Sequence, residues 1–199
     1  MKTALIKYNA GNVRSVMISL EKLGAKVILT DKPEEILSAD KVIFPGVGHA
    51  ESAMNYLKDK QLDKVILSVK SPFLGICLGM QLLCKFSEEG NTDCLGIFDV
   101  IVRKFPPATL EKVPHMGWNK LTPVNSGREN ILLKSMPQDE FFYFVHGYYA
   151  EQNPYSTADC RYILPFSAML QKDNFFAAQF HPEKSGKAGE MLLTNFLSL

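Results

Sequence analysis

Apolar residues along this chain follow two rhythms that alternate. Short unbroken runs at Ala4-Leu5-Ile6, Val27-Ile28-Leu29, Val42-Ile43-Phe44 and Phe73-Leu74-Gly75-Ile76 predict four strands buried on both faces. Between the first two, Val13, Val16, Met17, Leu20 and Leu23 recur at helical spacing, and Gly24 is placed to end that helix. Lys32-Pro33-Glu34-Glu35-Ile36 predicts a short helix entered through proline, and Leu62, Ile66 and Val69 predict another before the fourth strand. Continuous apolar strands alternating with amphipathic helices imply a parallel sheet covered on both sides.

The rhythm changes after about Cys94. Residues 96–102, 140–145, 161–164 and 174–178 are strand-like, while Pro106-Pro107 and Ser126-Gly127-Arg128 break the chain between them. From Gly186 onward, Ala188, Leu192, Phe196 and Leu199 repeat at helical spacing and predict a closing helix. The expected fold is therefore α/β: an open, mostly parallel sheet flanked by helices, with antiparallel strands added in the C-terminal half. No internal repeat or long linker divides the chain, so residues 1–199 are expected to form a single domain.

Composition narrows the classes. The chain has 22 basic and 21 acidic residues, a net charge of +1, and no basic run. It lacks the electrostatic footprint of a nucleic-acid or anionic-membrane binder. No apolar run approaches the ~20 residues a membrane span needs. The apolar start Met1–Ile6 is too short for a signal peptide and reads as a strand. The four cysteines form no C-x-x-C pair, which points to a reduced cytoplasm and away from structural zinc. No metal or cofactor is expected.

One stretch carries the sharpest chemical signal. In Gly75-Ile76-Cys77-Leu78-Gly79 a buried strand turns into a helix with a thiol at the bend, glycines relieving the crowding on either side. A helix N-terminus favours the thiolate. The bland alternative is a packed apolar cysteine, the commoner case for a lone cysteine. A base strengthens the sharper reading. His181 ends the apolar strand 175–180, and in an extended segment Glu183 would share its side and orient it, with Pro182 stiffening the link. His146 is the rival base but has no nearby carboxylate, so a hydrogen-bonded histidine at a pocket edge is the better reading; His49 and His115 have weaker claims. Cys84, Cys94 and Cys160 read as packing residues. Pro45-Gly46-Val47-Gly48 follows the third strand and should emerge beside Cys77, where a backbone N–H of that loop and that of Leu78 could form an oxyanion hole.

Gly75-Ile-Cys77-Leu-Gly79-Met-Gln81 and Gln179-Phe-His181-Pro-Glu183 resemble the motifs of the triad-type, class I glutamine amidotransferases, over essentially the whole chain. Within that family, residues 10–16, 45–48, 116–119, 144–146 and 181–185 resemble the glutaminase subunits of imidazole glycerol phosphate synthase, and Met116-Gly117-Trp118-Asn119 is the most discriminating block. The resemblance implies a flavodoxin-like sheet and a Cys77, His181, Glu183 triad that hydrolyses glutamine. It implies Val47 or Gly48 with Leu78 as oxyanion donors, and Gln81, Glu89, Gly147 and Tyr148 around the substrate. It further implies that the partner is a cyclase subunit with a (βα) barrel, receiving ammonia across an interface with Asn12, Met116, Trp118, Asn119 and Lys184. Two departures stand out: Lys7 and Asn9 replace the family's usual acidic residue and glycine, and Gly147 stands where a hydroxyl residue is commoner. A glutaminase of another synthase, a stand-alone cysteine hydrolase and a non-catalytic scaffold are the alternatives. Met116–Asn119, Gln81 with Glu89, and the intact triad argue against them in turn.

Overall fold

The computed structural model describes residues 1–8, 13–108, 111–124, 130–137 and 139–199. Asn9 and Asn12, and the break at 126–128, lie outside the described residues. The first half runs β1 (Lys2–Ile6), α1 (Val13–Lys22), β2 (Lys26–Thr30), α2 (Pro33–Leu37), β3 (Lys41–Phe44), α3 (Ala50–Asp59), α4 (Leu62–Ser68), β4 (Phe73–Ile76) and α5 (Leu78–Leu83). The second half runs β5 (Phe86–Ser87), β6 (Thr92–Asp93), β7 (Ile101–Lys104), β8 (His115–Lys120), β9 (Thr122–Pro123), β10 (Phe141–His146), β11 (Tyr148–Ala150), β12 (Ser156–Tyr162), β13 (Leu164–Lys172), β14 (Phe175–Ala178) and α6 (Gly186–Leu197).

One sheet crosses both halves in the order β2-β1-β3-β4-β14-β13-β11-β7-β5-β6, with β12 bridging β13 and β9. Its first five strands are parallel, and β13 turns the direction by pairing antiparallel with β14. Alternation along each buried strand feeds two cores. Ala4, Ile6, Val42, Phe44 and Phe73 pack under α2–α5, while Leu5, Ile43, Leu74 and Ile76 pack under α1 and α6. Outside this sheet, β8 and β10 form an antiparallel ribbon with Tyr143 opposite Trp118. Among the described residues no helix is long and apolar enough to cross a membrane.

The α/β class and the antiparallel additions are as the pattern implied, but several elements differ. β2 is an edge strand rather than a buried one, and Leu29 remains 38% exposed. The helix α3 was not anticipated. Its apolar stripe, Ala50, Ala53, Met54 and Leu57, is diluted by alanines. Regular strand structure begins at Ile101 rather than Gly96, because 96–98 form a bend whose backbone bonds to Leu83 and Cys84. Residues 161–164 are not one strand but the corner of the β12–β13 hairpin, with Ile163 at φ 52°. The strand at 175–178 pairs parallel with β4, not antiparallel to its neighbours on both sides. Trp118, whose glycine and asparagine neighbours imply a loop, lies instead in the strand β8.

Candidate active site

The elbow forms where β4 gives way to α5. Cys77 has φ 54° and ψ −110°, a conformation that side chains other than glycine avoid. Such strain costs roughly 1–3 kcal/mol and persists only where the surroundings impose it. Here the Cys77 N–H donates to the Ala178 carbonyl at 2.7 Å and its carbonyl accepts from the Gln81 N–H at 3.2 Å. The turn also closes on bare backbone. A Cβ on Gly79 would fall on the Phe44 carbonyl oxygen, and one on Gly75 would lie 2.9 Å from the Gly79 carbonyl oxygen. Gly46 would collide likewise with Leu78 and Gly79, so the Pro45–Gly48 loop lies directly against the start of α5. Leu78 opens that helix, and its N–H therefore has no partner within it.

His181 reaches Cys77 through strand register. Ala178 pairs with Ile76, so β14 and β4 end side by side despite a separation of about a hundred residues. The His181 N–H donates to the Tyr143 carbonyl at 2.9 Å, and Ser185 Oγ donates to the His181 carbonyl at 2.7 Å. His181 Nδ1 and Glu183 Oε1 are 2.8 Å apart, with both side chains only 2% exposed. The expected extended path from His181 to Glu183 is replaced by a 3-10 turn at Pro182–Lys184, where proline is tolerated in the first position. A carboxylate accepts, so Nδ1 carries the proton and Nε2 is left as the basic nitrogen. Nε2 is buried and, among the described residues, has no partner with hydrogen-bond geometry; Cys77 nevertheless acts on the ring. Burial pushes the imidazole toward neutrality, but Cys77 and Glu183 outweigh it and raise His181 to about 10.

A pocket of about 270 Å³ opens over the thiol and is lined by Val47, Gly48, Cys77, Leu78, Gln81, Glu89, Pro114, Val145, His146, Gly147 and Tyr148. Every residue expected at the oxyanion or around the substrate lies on it. The Gln81 amide nitrogen donates to the Tyr148 carbonyl and to Gln179 Oε1, each at 2.9 Å. Glu89 Oε2 accepts from the Ala50 N–H at 2.8 Å and so caps α3 from the pocket wall. His146 has no carboxylate partner: Nδ1 donates to the Tyr148 carbonyl at 2.7 Å, and Nε2 lies 3.2 Å from His115 Nδ1. Burial lowers His146 to about 3 and His115 to about 4, keeping both neutral.

Two contributors carry no signal in the sequence. Gln179 stands in the second motif without an evident role, yet its amide nitrogen is 3.7 Å from Cys77 Sγ. Tyr8 donates from its hydroxyl to the Pro45 carbonyl at 2.8 Å and so ties down the oxyanion loop. Nothing local marks either; both act across the sheet. Other expected residues lie outside the pocket. Met116 and Trp118 stand 64% and 55% exposed on the outer face of β8, with Trp118 edge-on to Tyr143 at 5.8 Å and Lys184 Nζ 5.9 Å over the same ring. Asn119 alternates away from that face, and its amide donates to the Arg161 carbonyl at 3.0 Å. Burial pushes the Cys94 and Cys160 thiols up to about 12 and raises Cys84 as well. Among the described residues no cluster of His, Cys, Asp or Glu is arranged to hold a metal.

Known proteins match this chain along its length. A profile of the family described as Glutamine amidotransferase class-I matches residues 4–199. A Bacteroides fragilis protein named imidazole glycerol phosphate synthase subunit HisH is 56% identical over 200 residues, covering 100% of both chains. The Escherichia coli K12 protein of the same name is 42% identical over 200 residues, again covering both chains fully. Among solved structures, a putative GMP synthase subunit from Thermoplasma acidophilum covers 100% of this chain and 93% of its own at 21% identity, with a TM-score of 0.73. The glutaminase domain of Trypanosoma brucei CTPS, solved with bound acivicin, gives 0.70 at 18% identity, covering 100% and 92%. At those identities the structures speak for the fold.

Proposed function

The chain belongs to the class I glutamine amidotransferases, and from that premise we propose that it is the glutaminase subunit of an imidazole glycerol phosphate synthase. The observation that carries this reading is full-length identity of 56% to a subunit of that name, with Cys77 at the pocket and the buried His181–Glu183 pair beside it. Such a subunit works with a partner. We take the partner to be a (βα)-barrel cyclase that uses the ammonia to make imidazole glycerol phosphate and an aminoimidazole carboxamide ribonucleotide.

The chemistry follows from the geometry. His181 Nε2 takes the Cys77 proton while Glu183 holds Nδ1, and Sγ attacks the side-chain carbonyl carbon of glutamine. The carbonyl oxygen gains charge as the S–C bond forms. The Leu78 N–H and one from Val47 or Gly48 stabilise it, each donor contributing roughly 2.7–4 kcal/mol to the transition state. The imidazolium returns its proton to the departing nitrogen, the C–N bond breaks, and ammonia leaves. Water, deprotonated by His181, then cleaves the thioester to glutamate and restores the thiol. Both protons on the Gln81 amide nitrogen are engaged, so its oxygen is the free end, and with Glu89 it suits the substrate's α-ammonium group.

Met116, Trp118, Tyr143 and Lys184 form the outer face of the β8–β10 region, and we place the partner there. The deciding measurement is glutamine hydrolysis by the isolated chain and after adding the cyclase subunit with its ribonucleotide ligand. Slow hydrolysis alone and strong acceleration in the mixture are expected. Failure of the barrel subunit to bind or activate the chain defeats the specific assignment, even if glutaminase activity persists.

A further inference from the structure

We propose that Gln179 belongs to the catalytic apparatus: its side-chain amide donates to Cys77 Sγ and favours the thiolate, at the end of a buried relay that begins at the Tyr148 carbonyl. The inference rests on Cys77 being the nucleophile, as proposed above.

The relay's direction is fixed by chemistry rather than by choice of amide orientation. A backbone carbonyl only accepts, so the Gln81 atom 2.9 Å from Tyr148 O must be its nitrogen. That nitrogen spends its second proton on the Gln179 side chain at 2.9 Å, which must present Oε1 there. The remaining end of Gln179 is its NH2 group, and this faces Cys77 Sγ at 3.7 Å. Gln179 is fully buried, so no water competes for that proton. The same Tyr148 carbonyl accepts from His146 Nδ1 at 2.7 Å, which anchors the far end of the relay. Sγ also lies 3.8 Å from the Val145 carbonyl, an acceptor for a thiol proton and a repulsive neighbour for a thiolate. Gln179 is thus the donor that survives once His181 has taken the proton, and it opposes the Val145 carbonyl.

The other titratable groups around the sulfur are His181 with Glu183 behind it, the Tyr8 hydroxyl, neutral His146, and Glu89 on the pocket wall. The test alters none of them.

The experiment is alkylation of the full-length protein by iodoacetamide across a pH series, read peptide by peptide so that Cys77 is scored apart from Cys84, Cys94 and Cys160. Glutamine is not needed, so the readout is independent of turnover. Gln179→Met should raise the midpoint of the Cys77 titration by about one pH unit, or about tenfold less thiolate at neutral pH. Gln179→Glu, nearly isosteric, turns an acceptor toward the sulfur and should raise it further. Gln81→Met releases Gln179 from its orientation and should move the midpoint in the same direction, so a variant that fails to fold does not end the test. Unmoved midpoints in the folded variants overturn the proposal even if glutaminase activity falls, because a purely structural Gln179 would not shift a thiol titration. If wild-type Cys77 reacts no faster than Cys84, Cys94 and Cys160, the nucleophile assignment itself fails, a separate and recognisable outcome.

Discussion

Three histidines near the pocket are held in opposite protonation states by their partners. His181 is raised to about 10 because Cys77 and Glu183 overcome its burial, whereas burial lowers His146 to about 3 and His115 to about 4. The linkage signs follow. A raised histidine adds stability that is complete below its unfolded value of about 6.5 and is lost as pH climbs through about 10. Relative to Glu183→Gln, the wild-type melting temperature should therefore have its greatest advantage below pH ~6.5 and lose it toward pH 10. The same substitution removes the charge that orients the base, and kcat for glutamine hydrolysis should fall roughly 10²–10⁴-fold. A lowered histidine acts the other way: its contribution is present above about 6.5 and is lost as pH falls toward about 4. His115 stacks on Tyr162 at 4.0 Å and Phe144 at 4.9 Å, so phenylalanine fits its site. Urea unfolding of His115→Phe should show its stability gaining on wild type between pH ~6.5 and 4, and parallel curves would refute the account. Of these residues only the triad was legible in the sequence. The roles of Tyr8, Gln179 and His115 come from partners 37, 102 and 31 positions away, a relation no local spacing encodes.

Elements place these side chains, and two of them bear most of the responsibility. The first is the close approach of the elbow to the loop after β3, where glycines let backbone meet backbone. Gly79→Ala drives a methyl group onto the Phe44 carbonyl oxygen, which no side-chain rotation relieves. A loss of at least about 1–3 kcal/mol is expected, seen as a lower urea midpoint. The second is the β8–β10 ribbon. Along β10, Phe142 and Phe144 point into the core, Phe141, Tyr143 and Val145 face outward, and Val145 and His146 line the pocket. One strand therefore offers side chains to the proposed partner and a backbone carbonyl to the nucleophile. The aromatic run of β10 is visible in the sequence, whereas Trp118 reads there as a loop residue. Glycine and asparagine on either side of it argue against a strand, and the pairing with Tyr143 overrides that local preference. Trp118→Ala should weaken cyclase binding at least about tenfold, as expected for a tryptophan anchor, while leaving the fold's stability nearly unchanged. Calorimetric titration and a thermal melt check the two halves; undiminished affinity would move the partner elsewhere.

At the scale of the whole chain, the first half of the sequence supplies the nucleophile and the second half supplies its base, and the two meet at the parallel β4–β14 pairing. The first half was readable, α3 apart, because apolar strand runs and amphipathic helices leave clear periods. The second half was less so, since short strands such as β5, β6 and β9 have two residues each and carry no period at all. This division explains how a glutaminase can be separated from the reaction it feeds. Cys77 sits behind a strand whose outer face is free in the isolated chain, so its chemistry can fail without disturbing the surface we assign to the partner. Cys77→Ala should then abolish synthesis from glutamine in the assembled complex. Synthesis from added ammonium should continue at the wild-type rate, because the cyclase proposed as partner needs only the nitrogen. The two rates, measured on one preparation at saturating ribonucleotide, decide the matter: loss of both would mean that Cys77 supports the complex itself rather than the release of ammonia.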